Sequence, residues 1–139
     1  MKPYLLKPLC LVMVACTSGP VPIRYGKDNC ALCKMTIMDN KFGTELITPK
    51  GKIFTFDSDE CMRDYLKASA NAGAQYLVTN YEKPGTLIDG KTAFFLHSPK
   101  MKSPMGGNLA AYADKVKATA AQQKLGGEVL TWDQFLVSE

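Results

Sequence analysis

The sequence predicts an α+β domain made of two β-β-α-β units, with helices packed against antiparallel sheet in a pattern consistent with an internal duplication. Three observations carry this expectation. Two short β-rich runs, TELIT and KIFTF, flank Pro49, Lys50 and Gly51, and an amphipathic helix follows them. The same order returns in TLI, the Asp89-Gly90 turn and TAFFLH, with a second helix beyond. Set side by side, ELITPKGKIFTFDS and TLIDGKTAFFLHS share part of their pattern.

The chain opens with lysines, an apolar run from Leu9 to Ala15 and a small residue directly before Cys16. This is the layout of a bacterial export signal. The run is well short of the ~20 residues that cross a bilayer as a helix. Met13, Val14, Ala15 and Cys16 resemble a lipoprotein box, so residues 1–15 are expected to be cleaved and Cys16 lipidated. The Ser, Gly and Pro of TSGPVP then read as a tether over residues 16–26, ahead of a single domain at 27–139.

The 139 residues carry a formal charge of +4, which falls to +2 once Lys2 and Lys7 leave with the signal. The remaining lysines are scattered, so no nucleic-acid partner is expected. A mature chain of this size can bury one continuous core without disulfide staples.

Along that domain, Phe54 and Phe56 share one strand face. Asp57, three residues before Glu60, marks the start of a helix over 58–70. Its buried stripe is expected to be Cys61, Met62, Tyr65, Leu66 and Ser69. QYLVTNY reads as a third strand. After the second hairpin and a Pro-rich crossing, a helix over 107–123 is expected to bury Leu109, Tyr112, Ala113, Val116 and Ala120, with GGEVL closing the unit. A short helix around Trp132 and Phe135 caps the chain.

The chemistry lies in sulfur. With Cys10 and Cys16 assigned to the signal and the lipid, Cys30, Cys33 and Cys61 remain, an odd number in an oxidising compartment. NCALCKM places Cys30, Cys33 and Met35 within six positions. A thioredoxin-like couple sits at the N-terminus of a long helix, whereas this pair precedes a strand over 36–38. Zinc fits the spacing of Cys30 and Cys33, and Cys61 with His97, the only histidine, would complete a tetrahedron. That site leaves Met35 without a role.

Cu(I) accounts for more, because it favours thiolate and thioether ligands and accepts low coordination numbers. Met38 and Met62 are expected in the core. Met101 and Met105 lie in SPKMKSPMGG, which its prolines and glycines keep irregular, so their thioethers are expected to be partly exposed.

The run Asp28-Asn-Cys30-Ala-Leu-Cys33-Lys-Met35, an aromatic-rich hairpin with its helix, and Ser103-Pro-Met105-Gly before a second helix together resemble the NosL family of copper-chaperone lipoproteins. The resemblance implies a periplasmic, membrane-anchored Cu(I) carrier with a fold related to organomercurial lyase. Its partners would be a copper-enzyme maturation system or the apo copper enzyme, nitrous oxide reductase. It also implies Cys33, Met35 and Met105 as central ligands, with Cys30 beside them and His97 as an addition. In the family, glycine commonly precedes the motif methionine; here Lys34 stands there. An organomercurial lyase-like enzyme is the competing reading, limited by the expectation that Cys61 faces the core, away from Cys30 and Cys33. A module with a purely structural zinc or disulfide is the third.

Overall fold

The computed structural model describes residues 20–69 and 73–139. The signal expected at 1–15 and the lipidation candidate Cys16 lie outside those residues. Among the described residues, no helix is long and apolar enough to cross a membrane.

Thr44–Ile47 (β1) and Ile53–Phe56 (β2) pair antiparallel, with Leu46 opposite Phe54. Thr48 and Lys52 close the turn, and Gly51 takes its left-handed position at φ 80°. The helix Asp59–Ala68 (α1) starts one residue later than the Asp57 signal indicates. Ser58 is its N-cap, and its hydroxyl accepts from the Cys61 N–H. Cys61 and Met62 are buried, and Tyr65 packs on Phe54 and Phe56 at ring separations of 5.4 and 5.1 Å. Gln75–Thr79 (β3) pairs with the other side of β1, and Leu87–Asp89 (β4) pairs with β3, giving the order β2-β1-β3-β4.

The second unit departs from expectation at two points. TLI and TAFFLH do not form a hairpin: β4 completes the first sheet, while Phe94–His97 (β5) opens a second one. At the corner, Asp89 accepts the Lys91 N–H on its carboxylate and the Thr92 and Ala93 N–H groups on its carbonyl, and Gly90 N donates to Tyr76 O. The Asp-Gly pair therefore turns the chain between sheets instead of back along its own strand.

The second departure is Leu109–Tyr112 (β6), expected within a helix. It is a fully buried strand paired with β5, and a short apolar run of this kind carries no periodicity to separate strand from helix. The helix Lys115–Leu125 (α2) begins only after Asp114, whose carboxylate caps Lys117 N. Its register buries Ala118 and leaves Val116 76% exposed, with Ala113 and Ala120 also in solvent. Glu128–Leu130 (β7) pairs with the far side of β5, and Trp132–Val137 (α3) ends the chain.

The two units nevertheless share one topology. In β2-β1-β3 and in β6-β5-β7, the first strand of the unit is central, its hairpin partner lies on one side, and the strand after the helix lies on the other. The sheets meet where Asn80 bridges Ala111 and Tyr81 N donates to Ala111 O. One core cluster gathers Leu46, Phe56, Met62, Val78, Phe95, Trp132 and Phe135; a second gathers Phe42, Leu96, Met101 and Tyr112. Met101 is thus a core residue, 2% exposed, and not the accessible thioether expected of its segment. Met38 is the reverse case. It was expected in a strand and in the core, but lies in irregular structure and is 70% exposed.

Candidate metal centre

Residues 26–37 fold back on themselves as an irregular hairpin. Gly26 N donates to Ile37 O, Ile37 N to Asp28 O and Cys30 N to Met35 O, and Asn29 bridges Thr36. Buried Ile37 anchors this hairpin in the core. Its tip, Cys30 to Met35, makes one helical turn closed by Lys34 N donating to Cys30 O. Lys34 sits at φ 67°, in the left-handed region that glycine enters without penalty. A backbone requirement therefore explains why glycine suits this position, and Lys34 meets it while anchoring its Nζ on Ala31 O at 2.6 Å.

The hairpin lies along β2, an edge strand of the first sheet. Ala31 N donates to Thr55 O, and Thr55 Oγ1 donates to Asn29 O. These bonds occupy polar groups that an edge strand would otherwise present to other chains. They also fix the metal centre, because the chain leaves β2 at Phe56 and enters the first turn of α1, where Cys61 stands. Cys30, Cys33 and Cys61 come together there, their sulfur atoms all within 4.8 Å of one another. All three are free thiols. Cys30 and Cys61 are 1% and 3% exposed, while Cys33 is half-buried.

The expectation that Cys61 faces the core away from the pair is therefore corrected: it is buried, but buried against Cys30 and Cys33. The sequence held one signal for this, the odd cysteine count. The 28-residue separation between Cys33 and Cys61 hid the contact, since it depends on the edge pairing with Thr55.

The three sulfurs differ electrostatically. A hydrogen bond from the Cys61 thiol pulls the Cys30 thiol far below the ordinary range; burial opposes this, and the N–H groups of Cys33, Asp57 and Leu32 add to it. Cys33 N lies 3.5 Å from Cys30 Sγ. The same hydrogen bond, with burial, pushes Cys61 strongly upward, and burial raises Cys33. The cluster thus favours negative charge on Cys30 over Cys33 and Cys61. The three sulfurs form a preformed soft-donor set.

Met35, at the end of the same turn, is 57% exposed. Met105 lies in a tight turn, Ser103 to Gly106, closed by Gly106 N donating to Ser103 O at 3.1 Å, with Pro104 and Met105 at its two central positions. Its side chain is 43% exposed. That turn is tied to α1 through Glu60, the residue before Cys61. Ser103 Oγ and Gly107 N both donate to Glu60 Oε1, at 2.5 and 3.0 Å. Gly107 permits the approach, since a Cβ there would stand 2.7 Å from Glu60 Cγ and Cδ. Sequence reasoning missed Glu60 in this role, because a first-turn glutamate reads as a helix signal. His97 ends β5 with Nδ1 3.5 Å from Glu128 Oε1, and the three-cysteine cluster does not include it.

The chain was compared with known proteins. The family model described as NosL matches residues 20–137. No curated protein sequence matches at a significant level. Among solved structures, the crystal structure of the copper chaperone NosL from Shewanella denitrificans superposes with a TM-score of 0.73 at 21% identity, covering 85% of this chain and 96% of that one.

Proposed function

The chain belongs to the NosL family, and on that premise we propose that it is a Cu(I) chaperone of the bacterial periplasm, held at the membrane by a lipid on Cys16. The observation that carries the metal assignment is the convergence of three free thiols from two distant segments. Thiolate and thioether donors select Cu(I) over ions that prefer oxygen or nitrogen. A purely structural zinc site is closed by four ligands, whereas the cluster among the described residues supplies three and does not include His97.

Copper is the cargo, and its acceptor is the apo form of a copper enzyme or the machinery that matures it; nitrous oxide reductase is the acceptor we propose. Cys30, Cys33 and Met35 form the loop side of the site, and Met105 supplies a thioether from the turn docked on Glu60. His97, engaged with Glu128, is the peripheral member of the expected set. Delivery proceeds by ligand exchange without a change in oxidation state. An incoming donor adds at the exposed side, one chaperone sulfur leaves, and each released thiolate regains a proton.

The test is an oxygen-free titration of the reduced protein with Cu(I) and Zn(II) against competing chelators. One equivalent of Cu(I) is expected to bind more tightly than Zn(II), with Cys30→Ser and Cys33→Ser each lowering its affinity at least tenfold. A preference for Zn(II), or Cu(I) affinity unchanged in both variants, would overturn the reading. Incorporation of a labelled fatty acid, lost in Cys16→Ser, tests the anchor.

A further inference from the structure

We propose that Cys61 is a metal ligand, and that with Cys30 and Cys33 it forms an inner three-thiolate position from which copper moves outward to Cys33 and Met35 for release. The inference rests on the copper-carrier reading and adds to it a ligand from a second segment and a direction of transfer.

Geometry supports the inner position. A metal bonded to thiolate at about 2.3 Å in a trigonal plane holds its sulfurs about 4 Å apart. The three sulfur atoms here all lie within 4.8 Å of one another before any metal binds, so closure needs only side-chain adjustment. The first turn of α1, capped by Ser58, fixes Cys61, while the bonds to Thr55 fix the turn that carries Cys30 and Cys33. A ligand set on two such anchored segments is preorganised.

Exposure supports the direction. Cys30 and Cys61 are almost wholly buried, Cys33 is half-buried and Met35 is 57% exposed, so accessibility rises along one turn of chain. Cys30 and Cys61 offer an acceptor little open surface, and Cys33 is the thiol common to the buried and exposed ends. In the outward step, the bond from Cu(I) to Cys61 Sγ breaks as the bond to Met35 Sδ forms, and the acceptor's first sulfur then displaces Cys30 Sγ, which leaves Cys33 and Met35 as the last chaperone ligands. Cys61 takes a proton from solvent, and copper remains Cu(I).

The test uses the full reduced chain labelled with 13C at cysteine Cβ. On addition of one equivalent of Cu(I), the Cβ resonances of Cys30, Cys33 and Cys61 are expected to move together. An unmoved Cys61 resonance, with Cys30 and Cys33 shifted, would overturn the inner site and leave the copper-carrier reading standing. No shift in any of the three would defeat both. This measurement needs no variant, so it does not depend on how Cys61→Ser folds. In the folded variants, Cys61→Ser is expected to lower Cu(I) affinity at least tenfold. Met35→Leu is expected to slow transfer of copper to a chelator about tenfold. Transfer at the wild-type rate in Met35→Leu would overturn the outward route.

Discussion

Ser103 Oγ donates a 2.5 Å hydrogen bond to Glu60 Oε1, joining the Pro-Met-Gly turn to the residue that precedes Cys61. Both partners are buried, at 8% and 4% exposure, and the second carboxylate oxygen of Glu60 has no partner among the described residues. Removing the Ser103 hydroxyl leaves Gly107 N as the one remaining donor to a buried carboxylate. Ser103→Ala is therefore expected to cost about 1–3 kcal/mol and to speed amide exchange over residues 103–108. Urea unfolding and hydrogen exchange measure both; unchanged exchange in the turn would show that Glu60 does not hold it.

Lys34 occupies a left-handed backbone position at φ 67°. Lys34→Gly removes that strain, against some added entropy in the unfolded chain, and is expected to stabilise the metal-free protein by up to about 1 kcal/mol. Chemical denaturation checks the sign. Destabilisation would mean that the bond from Lys34 Nζ to Ala31 O outweighs the strain.

Glu45 is 1% exposed, and its Oε2 lacks a partner among the described residues. Burial, with Asp28 nearby, raises its carboxyl from 4.5 to about 7, although the Val21 N–H favours the charged form. A raised native value means that the folded state binds the proton more tightly. The resulting stability is complete below pH 4.5 and is lost as pH rises through about 7. Glu45→Gln is expected to flatten the stability profile across that window by on the order of 2–3 kcal/mol. Urea midpoints from pH 4.5 to 8 would reveal it, and parallel profiles for wild type and variant would contradict it.

Phe135 stacks on Phe95 with centroids 4.1 Å apart and also meets Trp132. The short terminal helix α3 is thus part of the main core. Phe135→Ala is expected to cost about 3–5 kcal/mol; a loss below about 1 kcal/mol in thermal or urea unfolding would make α3 a peripheral cap.

The sequence is legible where its signals are local. Turn residues at Pro49 to Gly51, alternation through Phe54 and Phe56, and the α1 stripe gave the first unit nearly to the residue. It is illegible where pairing partners lie far apart. The Asp89-Gly90 signal correctly marks a turn, but whether that turn joins two strands of one sheet depends on β3 already occupying the side of β4. Likewise Leu109 to Tyr112 has no period that separates strand from helix, so the true start of α2 at Lys115, and with it the exposure of Val116, is not legible there.

In the candidate site, the Cys30 to Met35 turn and the Ser103 to Met105 segment stand out as motifs. Cys61 joins them only through the edge pairing at Thr55, and Glu60 links the second motif through a tertiary bond that no spacing rule contains. The opposite fates of Met38 and Met101 have the same origin, since whether a methionine in irregular chain lies inside or outside is settled by what packs on it.

X-ray absorption at the copper edge of the reduced protein loaded with one equivalent of Cu(I) tests the central claim most directly. The account predicts a first shell of sulfur alone, around copper that stays monovalent. A shell dominated by nitrogen or oxygen, or copper that washes away before the spectrum is taken, would contradict it.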